Sequence, residues 1–341
     1  MVPRNNVFSG FMSCMASSAL RTTIRYRMGI LARAGRKRPV LYCAAALAWV
    51  LVAAPAAAQP PPDPAALELA STQAAVVDLA NGQLLFAKHA DRQVPIASVT
   101  KLMSAVVVLD SGAPLDEWLT IVRRAEPAPA NAYSRIRIGS ELRRADLLRI
   151  TLMASENQAA YVLSRHHPGG REAFVAAMND KAAELGMHAT RFVDASGLSA
   201  ENRSTAADLL QLVAAAMDYE LIREYTRTTG FTAQFRRPRY TLQYGNTNLL
   251  VHRESWDVAL SKTGYLKVAG RCLAMVANID GRPIAMVLLD SLGTRTPLGD
   301  AGRIGRWLRT GQGGSVAAAA RDYERQRQRE YARQADGARR L

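Results

Sequence analysis

A serine and a lysine three residues apart, Ser98 and Lys101, head the run Ala97–Leu109 (ASVTKLMSAVVVL), whose remainder is almost wholly apolar. Three residues is close to one helical turn, so a helix projects both side chains from one face. A hydroxyl is a poor nucleophile at its free pKa and gains reactivity from a base within hydrogen-bond reach. A helix N-terminus adds backbone N–H groups and partial positive charge, which suit an oxyanion forming there. The apolar stretch from Leu102 to Leu109 predicts a helix buried throughout, which would anchor the pair in a core. Alone, the pattern is also satisfied by an N-capping serine and an unrelated lysine.

Two further triplets follow in the chain. Ser155-Glu156-Asn157 falls at the joint of two predicted helices, where a hydroxyl and an amide can point into a cleft. Lys262-Thr263-Gly264 falls at the end of an alternating strand. A cation and a hydroxyl there suit a substrate carboxylate, and glycine permits close backbone approach. S-x-x-K, S-x-N and K-T-G each occur once in the chain; Arg309-Thr310-Gly311 imitates the last, but after a helix.

The elements that must position these groups are legible in order. Gln73–Leu79, Asn81-Gly82 and Gln83–Lys88 read as strand, tight turn, strand. Helices are predicted over Gly139–Ile150, Gln158–Ser164, Arg171–Leu185 and Thr205–Met217, the last capped by Ser204. Strand patterns return from Phe231. Trp256–Lys262 alternates, Arg271–Ile279 and Arg282–Leu289 form a hairpin about Asp280-Gly281, and Pro297–Leu308 closes the fold as a helix. Strands at both ends with helices between predict one α+β domain. Its mainly antiparallel sheet is flanked by helices, a helical lobe is inserted, and a cleft lies at the seam.

The net charge of +15 is concentrated at the ends: eight bases and no acid before Gln59, seven bases against four acids from Arg321. The body between is only mildly basic and carries no nucleic-acid motif. Arg33–Arg38, the apolar Val40–Ala54 and Ala56-Ala57-Ala58 read as a cleavable signal peptide over residues 1–58. Residues 59–70 read as a proline-rich linker, 71–312 as the domain, and 313–341 as a polar tail, helical or disordered, without the apolar face of a firm membrane anchor. Cys14 and Cys43 lie in the leader, so Cys272 is expected as a lone buried thiol. The five histidines show no metal-ligand spacing, so neither metal nor cofactor is expected.

Serine-lysine, S-x-N and K-T-G, in that order, form the set shared by penicillin-binding proteins and class A β-lactamases. Together with Leu152–Ala160 (LMASENQAA), Leu185–Val193, Asn246-Thr247-Asn248 and Leu260–Cys272 (LSKTGYLKVAGRC), the chain resembles the low-molecular-mass penicillin-binding proteins over about residues 70–310. These are serine D-alanyl-D-alanine peptidases, and the endopeptidase type is the nearest match. The resemblance implies Ser98 as acylated nucleophile and Lys101 as its base, made neutral by burial and the like charge of Lys262. It implies Ser155 as proton relay, Asn157 as holder of the substrate amide, and Lys262, Thr263 and Gly264 as the carboxylate site. The backbone N–H groups of Ser98 and Tyr265 would form the oxyanion hole. Partners implied are peptidoglycan stem peptides and β-lactams, in the periplasm. The carboxypeptidase branch usually adds a C-terminal β-rich domain and an anchor helix, for which the sequence after Leu308 leaves too little room. A D-alanyl-D-alanine carboxypeptidase is the alternative. A β-lactamase lacks its E-x-x-L-N segment here, and a non-catalytic peptidoglycan-binding module would not need all three motifs intact.

Overall fold

A computed structural model describes residues 62–125 and 132–338, with side chains to 334. The expected signal peptide lies outside them. The main sheet has five antiparallel strands: β1 (Gln73–Asp78), β2 (Gln83–Lys88), β9 (Asp257–Leu266), β10 (Gly270–Ile279) and β11 (Arg282–Ser291), in the order β2-β1-β11-β10-β9. Both ends of the domain thus meet in one sheet, as predicted, through the register Gln73↔Leu289 to Asp78↔Ile284. Three short pairs complete the strands: β3 (Val94–Pro95) with β6 (Arg203–Ser204), β4 (Trp118–Thr120) with β5 (Glu141–Arg143), and β7 (Gly230–Phe235) with β8 (Tyr240–Gly245).

The central strands are nearly continuous in apolar residues because helices cover both faces. Ala75, Val77, Ala274, Val276, Ala285 and Val287 face a large core shared with helices α1 (Lys101–Asp110), α2 (Arg144–Met153), α3 (Asn157–Arg165), α4 (Gly170–Glu184), α5 (Ala206–Ala216) and α6 (Glu220–Arg227). Their neighbours Ala74, Val76, Leu273, Met275, Met286 and Leu288 face a second core against Trp307 of α7 (Thr296–Thr310). Successive residues of a strand point to opposite faces, so one strand feeds two cores.

Several expectations are corrected. The helix predicted from Gly139 begins at Arg144, because Glu141–Arg143 is drawn into pairing with Trp118–Thr120 and Glu141 exchanges backbone hydrogen bonds with Arg236. The cap of α5 is Thr205, whose hydroxyl accepts from the Asp208 N–H at 2.9 Å, rather than Ser204. Lys262-Thr263-Gly264 lies inside β9 and not at its end, since β10 pairs with the strand through Leu266. The described part of the segment read as a linker belongs to the fold: Leu67 and Leu69 are buried in the second core, and the indole N–H of Trp307 donates to the Asp63 carbonyl at 2.9 Å. The polar tail forms α8 (Ala318–Ala338), which docks by polar contacts around Asp290. Among the described residues no helix is long and apolar enough to cross a membrane.

Candidate active site

The Ser98 backbone belongs to a single 3-10 turn, Ala97–Thr100, that leads into α1. The turn is tightened by glycines on two other segments. A Cβ on Gly197, whose φ is +76°, would lie 2.0 Å from the Ala97 carbonyl oxygen. A Cβ on Gly264 would lie 3.1 Å from the Ser98 nitrogen, so β9 passes directly against that N–H. Ala97 itself sits at φ +48°, a conformation that costs an L-residue free energy and persists only where its surroundings enforce it.

Lys101 is completely buried, and its Nζ meets three acceptors: Ser98 Oγ at 2.8 Å, Asn157 Oδ1 at 2.8 Å and the Ser196 carbonyl at 2.5 Å. No carboxylate among the described residues pairs with it. Burial is the main force on this amine and lowers its pKa to about 7; the charges of Asp194 and Glu156 oppose the shift, and Arg124 adds to it. Lys262, on the adjoining strand, is equally buried and its pKa is held well below the usual lysine range, first by burial and then by Lys101. Like charge between the two buried amines disfavours their being protonated together.

Asn157 is delivered by the start of α3. The preceding residue, Glu156, caps that helix by accepting from the Ala159 N–H at 2.6 Å. A residue to which the sequence reading gave no role therefore orients the amide that meets Lys101. Ser155 sits at φ +57° and lines the cleft, but its hydroxyl makes no hydrogen bond with Ser98, Lys101 or Lys262. Thr263 and Thr247 hydroxyls meet at 2.6 Å, and the Thr247 N–H donates to the Met153 carbonyl at 3.0 Å. The cleft holds about 240 Å³, and Ser98, Ser155, Asn157, Thr263, Gly264 and Tyr265 all line it. Lys101 and Lys262 are buried and do not line it.

The loop Asp194–Gly197 escaped the sequence reading. The Asp194 carboxylate accepts from the N–H groups of Ser196, Gly197 and Ser199 at 2.6–2.8 Å, and from Ser196 Oγ at 2.7 Å. Asn202 ties the loop to the turn below Ser98 by donating to Thr100 Oγ1 at 3.1 Å. These contacts fix the Ser196 carbonyl against Lys101. The available signal was the Asp-x-Ser-Gly string, whose residue types favour a carboxylate-closed turn.

A buried hydroxyl–amine pair beside a strand that brushes the hydroxyl's own N–H is an arrangement suited to acyl transfer through a covalent ester. The comparisons agree with it. Residues 56–293 match the D-alanyl-D-alanine carboxypeptidase family. The chain is 46% identical over 282 residues to a D-alanyl-D-alanine endopeptidase of Pseudomonas aeruginosa, covering 82% of this chain and 91% of that protein. It is 45% identical over 260 residues to a D-alanyl-D-alanine endopeptidase of Escherichia coli, covering 76% and 84%. Penicillin-binding protein D2 from Listeria monocytogenes, solved in a cefotaxime-bound form, superposes with a TM-score of 0.61 at 29% identity, covering 70% of this chain and 96% of that one. The fold and site thus define a penicillin-binding, serine-peptidase type of protein. This chain belongs to the D-alanyl-D-alanine carboxypeptidase family.

Proposed function

We propose that the chain is a serine D-alanyl-D-alanine endopeptidase, which opens the D-alanyl–diaminopimelate cross-links of peptidoglycan through an acyl-enzyme. The observation that carries the mechanism is the environment of Lys101 Nζ. A neutral amine has two hydrogens and one lone pair. Asn157 Oδ1 and the Ser196 carbonyl can only accept, so they take both hydrogens and leave the lone pair for the Ser98 hydroxyl. Ser98 Oγ then attacks the carbonyl carbon of the cross-linking D-alanine while its proton passes to Nζ. The oxyanion forms against the N–H groups of Ser98 and Tyr265. Collapse breaks the C–N bond, and the departing amine takes a proton through Ser155. Water attacks the remaining ester and releases the acid, restoring Ser98.

The carboxylate beside the cleaved amide fits Lys262 and Thr263. An incoming anion restores the proton affinity that burial removes from Lys262. The same groups would accept the carboxylate and acyl carbon of a β-lactam, which supports penicillin sensitivity. The leader 1–58, removed on export, would deliver residues 59–341 to the periplasm, where the cross-linked polymer lies.

The names of the two relatives support endopeptidase; the family description favours carboxypeptidase, which removes a terminal D-alanine by the same chemistry. Mass analysis of muropeptides after incubation separates them. Endopeptidase predicts that cross-linked dimers become monomers faster than pentapeptides lose D-alanine. Trimmed pentapeptides beside intact dimers would make the chain a carboxypeptidase.

A further inference from the structure

The cleft does not end at Thr263. It continues past Tyr265 to Arg271, where Leu273, Pro297 and Leu298 also line it. The register Leu273↔Thr263 and Arg271↔Tyr265 puts all four side chains on one face of the sheet. The Arg271 guanidinium lies 3.9 Å from the centre of the Tyr265 ring, a cation–π stack. Beyond that stack, its side chain makes no ion pair or hydrogen bond with any described residue. Arg303, Arg321 and Arg327, by contrast, each meet a carboxylate.

A guanidinium carries five N–H donors in one plane and no acceptor. Stacking occupies its face and leaves the edge free, and that edge matches a carboxylate in two parallel hydrogen bonds. The stack also fixes the side chain before a ligand arrives, which lowers the ordering cost of binding. The pairing of Tyr265 two residues beyond Thr263 sets the arginine roughly 7 Å farther along the strand than the proposed first carboxylate site.

We propose that Arg271 is a specificity-determining residue that binds a second carboxylate, on the departing stem peptide. This rests on the endopeptidase reading above. A departing D-alanine carries one carboxylate, beside the cleaved amide. A departing stem peptide carries that group and another at its own C-terminus, separated from it by three methylenes and a peptide unit. Lys262 and Thr263 serve the first in both cases. Only the cross-linked substrate brings a second anion along the groove, so Arg271 turns a site common to both reactions into one that prefers cross-links.

The test uses the mature protein and three substrates: a cross-linked dimer with a free C-terminal carboxylate, the same dimer as its C-terminal amide, and a pentapeptide monomer. In the wild type, amidation is expected to lower kcat/KM on the dimer by roughly tenfold or more, mainly through KM, as for loss of one charge-assisted contact. Arg271→Gln is expected to lower the ratio of kcat/KM on dimer to that on pentapeptide by a similar factor, and to abolish the effect of amidation. Arg271→Lys should recover part of the preference, since it keeps charge without the planar fork. A wild type that cleaves acid and amide dimers equally overturns this inference alone. So does an Arg271→Gln enzyme that remains sensitive to amidation. A wild type that trims pentapeptide and leaves dimers intact overturns the endopeptidase reading, and this inference with it.

Discussion

Lys101 and Lys262 lie fully buried with no carboxylate among the described residues paired to either, whereas Asp290 and Asp300, equally buried, are surrounded by donors. Asp290 accepts from Tyr323 at 2.6 Å, Arg327 at 2.7 Å, Tyr331 at 2.5 Å and Thr72 at 3.1 Å. Asp300 accepts from the Ala70 and Ser71 N–H groups, Ser71 Oγ and Arg303 at 2.7–3.0 Å. A buried acceptor ringed by donors ties segments together; a buried amine with no opposite charge beside it has its charged form disfavoured. The two acids are used for the first purpose. Asp300 holds the segment before β1 to α7, and Asp290 holds α8 to the end of β11. The two lysines show the second effect, and their depressed pKa values fall where the proposed chemistry needs a base.

The largest expected effect separates the hydroxyl from everything around it. Ser98→Ala should abolish covalent capture of a labelled penicillin while the melting temperature stays near wild type, because only a cleft-lining hydroxyl is lost. A variant that still labels would remove Ser98 from the mechanism.

Lys101→Ala should slow acylation by ~10²–10⁴-fold, the usual contribution of general-base help. Lys101→Met should lose activity similarly, and yet melt near wild type, since it replaces a buried amine that has no carboxylate partner among the described residues with an apolar chain. A strongly destabilised methionine variant would show that the amine holds the fold together and is not merely tolerated by it.

The pH profile follows from the same depressed pKa. The proposed base is the unprotonated amine, so acylation by penicillin should rise about tenfold per pH unit below the transition and level off above about 7. The sign for stability is the same. The unfolded chain binds a proton at Lys101 up to the ordinary lysine pKa, and the folded chain releases it near 7. In that window the unfolded state binds more protons, and the stability contribution grows as pH rises. An acylation rate flat from pH 5 to 9 would contradict the assignment.

How much of this contrast the sequence reveals depends on how local each signal is. The serine–lysine spacing, the K-T-G string and the hairpin at Asp280-Gly281 are short patterns, and each lies in or beside the predicted element. The contact of Glu156 with the start of α3 and the Asp194 turn are equally local, but their residue types are common in loops and point to no chemistry on their own. Long-range closures left no sequence signal. Nothing in the Arg- and Gln-rich tail indicates that Tyr323, Arg327 and Tyr331, spaced four residues apart on one helical face, meet an aspartate at the end of β11. The same is true of β5, where pairing with β4 overrides a helical pattern.

Arg327→Ala tests the compensated site. Its side chain is 14% exposed against an aspartate that is fully buried. Three hydroxyl donors remain around Asp290, so the loss should be about 1–3 kcal/mol, that of a buried acceptor left short of one partner. Chemical denaturation measures it. Acylation should follow the folded fraction, because Arg327 lies at the α8 contact and not in the cleft. A change in acylation beyond that fraction would mean that the Arg327 contact with the Val268 carbonyl, at the β9–β10 turn, also sets the position of β9.

The smallest effect is expected one turn and a half earlier on the same helix. Arg321 makes two hydrogen bonds to Glu68, at 2.6 and 2.7 Å, better geometry on paper than the single Arg327 contact to Asp290. Both partners are 46% exposed, however. Water solvates each ion almost as well as its partner does, and holding two long side chains in register costs entropy. Arg321→Ala should therefore leave the denaturation midpoint within experimental error of wild type, even though the guanidinium lowers the pKa of Glu68. Raising the salt concentration should erase whatever difference remains, since exposed pairs are screened. If Arg321→Ala costs as much as Arg327→Ala, ion pairing itself and not burial holds α8 in place, and the contrast between exposed and buried charge fails for this helix.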